Sequence, residues 1–205
     1  MALDNFQTSR LQAVNIILSN IGQAPVTTLR SGNVQAEMAE NLLDEITKAV
    51  QSEGWVFNTE VDYPIVPNSN KHCILPPNVL TWDGVEYNRA DLIIRDGKLY
   101  DKRLHTFEFE RTLYVNVVWY FQFVDLPEAF RNYITIRAAN VFAGRTVGSS
   151  EAVRFGQQEE SVARATCLEF ETQQGDYTFF GDRAGRTTYQ SYLPYQAVTR
   201  SIWQR

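Results

Sequence analysis

The sequence predicts an α+β fold: a four-helix bundle with an inserted antiparallel β domain and an extended aromatic C-terminal tail. Three observations predict it. Apolar residues recur at helical spacing in two segments near the start and in two more after the middle. Between these pairs the period shifts to two, and short runs of Val, Ile, Tyr, Phe and Trp are broken by Pro, Asn and Gly. After the last helical segment the period disappears while the aromatic content persists.

The first helix is expected from Asn5 to Ile21. Phe6, Ala13, Val14, Ile17, Leu18 and Ile21 share one face, Asp4 is the expected N-cap, and Gly22 with Pro25 closes the helix. The second is expected from Asn33 to Glu53. Its stripe is Val34, Met38, Leu42, Ile46, Ala49 and Val50, with Gly54 just past the end.

Residues 55–124 read as strands. Leu92-Ile93-Ile94-Arg95, Asp96-Gly97 and Lys98-Leu99-Tyr100 form the clearest unit. Asp-Gly between two apolar runs signals a hairpin because both turn positions need φ > 0. From Thr112 to Val124, every second residue is apolar (Val115, Val117, Trp119, Phe121, Phe123), the period of a half-buried strand. Asp125 is expected to cap the third helix, with Pro127 in its first turn and Glu128 completing a capping box. Phe130, Tyr133, Ile134, Ala138, Val141 and Phe142 form its face. The fourth helix, Ser150 to Thr172, has a weaker stripe of Val153, Ala163, Cys167 and Phe170, with Gly156 inside it.

Four helices with one apolar face each bury those faces most simply against one another. The expected division is therefore helices one and two over 1–54, an inserted β domain over 55–124, helices three and four over 125–172, and a tail over 173–205. That tail holds Tyr177, Phe179, Phe180, Tyr189, Tyr192, Tyr195 and Trp203, together with Arg183, Arg186, Arg200 and Arg205. It is too aromatic for a solvated linker, and it packs either on its own helices or on a partner.

The composition is near a globular average: 44% hydrophobic and 21% charged over 205 residues. A formal charge of -5 argues against a dedicated nucleic-acid binder, which would carry a basic face. Cys73 and Cys167 are the only cysteines and give no disulfide framework. The N-terminus lacks the basic and apolar regions of a signal peptide, and no apolar run is long enough to span a bilayer. The expectation is a chain that folds in a cytoplasm and does not insert into membrane.

A search for chemistry returns little. His72 and His105 lie in the strand block outside any local triad signature. His72-Cys73 is the only adjacent pair with metal-ligand chemistry, and the four ligands of a zinc site are absent. No Gly-rich loop matches a phosphate or dinucleotide fingerprint. Glu108 and Glu110, at i and i+2, would share one strand face, and Glu159-Glu160 reads as a surface pair. The expectation is no catalytic residue, no cofactor and no metal, and hence a structural or interaction role.

Several stretches resemble the tail tubular protein A family of short-tailed bacteriophages. Ile21-Gly22-Gln23-Ala24-Pro25-Val26 is similar to the family's break after helix one. Val50-Gln51-Ser52-Glu53-Gly54-Trp55-Val56-Phe57-Asn58 is similar to its end of helix two. Asp125-Leu126-Pro127-Glu128-Ala129-Phe130 and Tyr133-Ile134-Thr135-Ile136-Arg137-Ala138-Ala139 resemble its third helix, and Gln174-Gly175-Asp176-Tyr177 its exit from helix four. The middle of the strand block, residues 68–111, resembles the family least.

The resemblance implies a virion tail protein made in the host cytoplasm. Such proteins form a homo-oligomeric ring, a dodecamer, docked to the portal protein on one side and the nozzle protein on the other. Double-stranded DNA passes through the lumen. For this chain it suggests Tyr189, Tyr192, Tyr195 and Trp203 as anchors on the portal or a neighbouring subunit, and the Asp96-Gly97 hairpin near the nozzle. The acidic balance suggests a lumen that repels DNA phosphates. The competing readings are a hydrolase of host glycan using Glu108 or Glu110, and an assembly module outside phage.

Overall fold

A computed structural model describes residues 7–30, 32–85, 90–146 and 150–175, with backbone alone for 150–155. Among these residues the chain is α+β, with four α-helices, five strands and two 3-10 turns.

Helix α1 spans Arg10–Ser19 and α2 spans Val34–Gln51. The cap of α1 is Ser9, not Asp4, which lies outside the described residues. Ser9 Oγ accepts from the Gln12 amide at 3.2 Å, and Gln12 Oε1 accepts from the Ser9 amide at 2.8 Å. The helix begins later than its pattern because α3 uses the polar groups just before it. Thr8 donates its amide (2.9 Å) and its hydroxyl to Glu128, and the buried Arg131 guanidinium donates to Thr8 O and Gln7 Oε1.

Asn33 caps α2 by accepting from the Gln35 and Ala36 amides. Its buried face is Ala36, Ala39, Leu42, Leu43, Ile46 and Val50. The expected stripe is therefore rotated: Val34 is 68% exposed, Met38 is 50% exposed and Ala49 faces solvent. Small alanines admit neighbouring helices more closely than Val34 or Met38 would.

The strands are β1 (Thr59–Ile65), β2 (Val79–Gly84), β3 (Leu92–Arg95), β4 (Lys98–Asp101) and β5 (Leu113–Trp119). They form an antiparallel sheet in the order β1-β5-β2 and a separate β3-β4 hairpin. Leu113, Val115, Val117 and Trp119 alternate inward along β5. The strand ends there, short of the expected Val124. Phe121 and Phe123 still face inward, but Phe123 does so from a 3-10 turn, Phe123–Asp125.

Helix α3 spans Glu128–Thr146 and α4 spans Ser150–Gln174. The Asp125 capping box does not form. Asp125 belongs to the 3-10 turn, the Pro127 carbonyl accepts the first helical bonds from Phe130 and Arg131, and Glu128 is engaged by Thr8. Five of the six apolar residues expected on α3 are buried and Val141 is partly so.

Two hydrophobic clusters result. One collects the inner faces of all four helices with Trp55, Phe123 and Leu126. The other lies in the strand block around Ile65, Cys73, Leu99, Phe109 and β5, and Phe121 packs against both. A buried amide pair joins them. Gln51 exchanges two hydrogen bonds with the Phe121 backbone, at 2.8 and 2.9 Å. Asn58 donates to Gln51 O (2.9 Å) and Trp119 O (3.0 Å) and accepts from the Trp55 amide.

Candidate functional site

The Asp96-Gly97 turn forms as expected. Both residues have positive φ, 50° and 72°, and the flanking Arg95↔Lys98 pair closes a two-residue loop. Both turn residues are exposed. Leu92 and Leu99 root the hairpin in the strand-block core, with a 2.8 Å bond from the Leu99 amide to Cys73 O. The Arg95 guanidinium lies 4.3 Å from the Tyr100 ring centroid, so the turn projects from a stiffened base. The other expected contact residues, Tyr189, Tyr192, Tyr195 and Trp203, lie outside the described residues.

A second surface was not evident from the periodicity. Between α3 and α4 runs an open groove of about 520 Å³, bordered by Asn132 and Ile136 on α3 and by Glu159, Val162 and Thr166 on α4. Val162 is 65% exposed. The only trace of this groove in the sequence is that Ile136 and Val162 lie off the apolar stripe of their own helices.

The spacing of its walls is set by polar contacts. Arg164 grips Glu53 with two bonds (2.7 and 3.2 Å) and donates to the Tyr133 hydroxyl at 3.0 Å. The Glu53 hydrogen bond, with Tyr133 adding to it, raises the Arg164 pKa above its ordinary value. Further along, the Asn140 amide donates to Gly156 O at 2.7 Å and to Glu160 at 3.2 Å. A Cβ at Gly156 would stand 2.2 Å from Asn140 Oδ1, so any larger residue there would displace the Asn140 side chain.

The reactive side chains are not assembled. Cys73 and Cys167 are buried, and burial pushes their thiols up to about 11 and about 12. Cys73 therefore faces the core rather than joining its neighbour His72 at a surface site. Glu108 and Glu110 are exposed, and Glu110 pairs with Lys71 at 3.1 Å. His105 sits at positive φ with Nδ1 3.4 Å from the Tyr100 hydroxyl. Glu160 is tied to Arg137 and Asn140, whereas Glu159 faces the groove. Among the described residues no group of three or more His, Cys, Asp or Glu is arranged to hold a metal, and no helix is long and apolar enough to cross a membrane.

What the geometry offers is surface. Comparison with known proteins says of what kind: the family profile described as tail tubular protein matches residues 11–177, through both hydrophobic clusters. The chain belongs to the tail tubular protein family. A curated relative, the tail tubular protein A of Klebsiella phage KP34, is 27% identical over 155 residues, covering 73% of this chain and 80% of the relative. Membership makes this a structural component of a bacteriophage tail.

Proposed function

We propose that the chain is the subunit of a homo-oligomeric adaptor ring, a dodecamer, that joins the portal protein to the tail nozzle and forms part of the channel for DNA ejection. It acts structurally and not as an enzyme. The family match from residue 11 to 177 carries this reading.

The physics of the chain supports it. A closed ring needs heterologous contacts, two different patches on each subunit. The α3–α4 groove and the exposed hairpin turn differ in shape and chemistry and belong to different cores. We read the helices over 1–54 and 125–172 as a four-helix bundle, residues 55–124 as an inserted β domain directed at the nozzle through Asp96 and Gly97, and residues 173–205 as an extended tail. Tyr189, Tyr192, Tyr195 and Trp203 serve as anchors on the portal or a neighbouring subunit, since Tyr and Trp dominate interface energetics. The formal charge of -5 suits a lumen that repels the phosphates passing through it.

Native mass spectrometry of the purified chain with the portal ring of the same phage tests this. A full ring of subunits on each portal is expected. Deleting residues 175–205 should abolish portal docking while leaving the fold, and Gly97→Val, which strains the turn, should weaken nozzle capture. No complex between folded partners would remove the adaptor reading.

A further inference from the structure

The chain contains two Asp-Gly pairs, Asp83-Gly84 and Asp96-Gly97, and no Asn-Gly pair. An aspartate before glycine can close on itself, because glycine has no side chain to shield its amide nitrogen. That nitrogen attacks the side-chain carboxyl carbon. A C–N bond forms, and the carboxyl hydroxyl leaves as water with the amide proton. The five-membered imide then opens with water at either carbonyl. One opening restores aspartate, and the other gives isoaspartate, in which the chain runs through the side-chain carboxyl. No oxidant, reductant or cofactor enters.

The ring makes a conformational demand. It holds the glycine nitrogen beside the aspartate Cβ, which sets the aspartate ψ at about −120°, the value at the first central residue of a type II′ turn. Types I′ and II′ are the two turns that suit a two-residue hairpin, and both have positive φ at that residue. Asp96 already has a φ of 50°. Passing from one turn to the other therefore needs only a flip of the Asp96–Gly97 peptide. The flip breaks no strand pairing, because both residues lie beyond the last pair, Arg95↔Lys98. Gly97 adopts either sign of φ, and nothing stands within 4 Å of where its Cβ would be. Asp96 is exposed, and among the described residues its carboxylate has no hydrogen-bond or ion-pair partner.

Asp83-Gly84 meets the opposite conditions. Both residues lie in β2, with Asp83 opposite Asn116 and Gly84 opposite Val115. An antiparallel strand holds ψ at about +135°, so ring closure there would turn the chain out of the sheet. The Leu92 side chain also stands 3.4 Å from where a Gly84 Cβ would be.

We propose that Asp96 is a spontaneous modification site, at which the imide closes within the hairpin turn and opens to isoaspartate, and that β2 protects Asp83 from the same reaction. Isoaspartate lengthens the backbone of the turn by one methylene, so the altered loop no longer fits the Arg95↔Lys98 pairing. The hairpin tip thus carries a slow covalent clock. This inference does not rest on the adaptor reading.

Ageing the purified full chain for weeks in mildly acidic buffer, with and without urea, tests it. Peptide mapping with electron-transfer fragmentation tells isoaspartate from aspartate at each position. In the folded chain, isoaspartate should accumulate at least about tenfold faster at Asp96 than at Asp83. In urea the two positions should react at similar rates. Asp96→Asn, which reaches the same imide by loss of ammonia, should form isoaspartate faster than the unmodified chain at neutral pH. Absence of isoaspartate at Asp96 in the folded chain would overturn the proposal, as would equal rates at the two positions. Selectivity that persists in urea would overturn it too, because the preference would then belong to the local sequence and not to the turn.

Discussion

Replacing Gly156 by alanine sets two known effects against each other, and the structure decides the sign. In an ordinary helix interior the change stabilises by about 1 kcal/mol through backbone entropy. Here the new Cβ would stand 2.2 Å from Asn140 Oδ1 and 2.7 Å from its Cγ, so the Asn140 side chain must move. Moving it breaks the 2.7 Å bond to Gly156 O and the 3.2 Å bond to the Glu160 carboxylate. At about 1 kcal/mol each, with some added strain, the loss is about 2–3 kcal/mol and outweighs the gain. Gly156→Ala should therefore destabilise by about 1–2 kcal/mol. In an Asn140→Ala background the obstruction is gone, and the same change should stabilise by about 1 kcal/mol. The coupling of about 2–3 kcal/mol can be read from urea unfolding of the four chains, followed by tryptophan fluorescence. Stabilisation of the unmodified chain by Gly156→Ala would refute the reasoning, because it would mean that α3 and α4 do not meet through Asn140.

The junction between the two cores makes another prediction. Gln51→Leu keeps the volume but leaves the Phe121 amide and carbonyl unpaired, a loss of about 2–4 kcal/mol; a loss below about 1 kcal/mol in the same assay would show that the clasp is dispensable. Glu171 concerns pH. Burial raises its pKa, while the hydrogen bond from the Val56 amide lowers it. A carboxyl whose folded pKa lies above its unfolded value pays no penalty below the unfolded value and the whole penalty above the folded one, so its contribution to stability falls as pH rises through that window. Glu171→Gln, which keeps an acceptor for Val56, should be more stable than the unmodified chain at pH 7 and indistinguishable from it well below the ordinary glutamate range. Lower stability of the variant at pH 7 would mean that the charged hydrogen bond prevails over burial.

The residues that sequence reading placed well are those whose local signal and tertiary role agree. Asp96-Gly97 needs two positive φ values wherever a tight hairpin occurs, so the dipeptide alone locates the turn. The alternation of β5 and the apolar face of α3 are equally plain, because each element has one wet side and one dry side. The misplacements share a different cause: distant parts of the chain compete for the same groups. Glu128 and Asp125 have the spacing of a capping box, but Thr8, far away in sequence, takes the Glu128 carboxylate, and α3 starts later. Val34 and Met38 are more hydrophobic than Ala36 and Ala39, yet the alanines are buried, because closeness of approach to α1 and α3 decides which face turns inward.

The candidate surfaces divide along the same line. The hairpin turn is a local object and could be read from the nine consecutive residues Leu92 to Tyr100. The α3–α4 groove is a property of two helices at a fixed separation, set by Gly156 against Asn140 and by Arg164 against Glu53 and Tyr133. Hydrophobic periodicity finds where a helix is dry inside its own fold. It does not identify a residue such as Val162, which lies on the wet side of its own helix and borders the groove. In a protein whose family role is assembly, such off-stripe apolar residues are therefore the ones to examine first. Substitution at Val162 should leave the stability of the isolated fold nearly unchanged, while substitution at its inward-facing neighbour Ala163 should not.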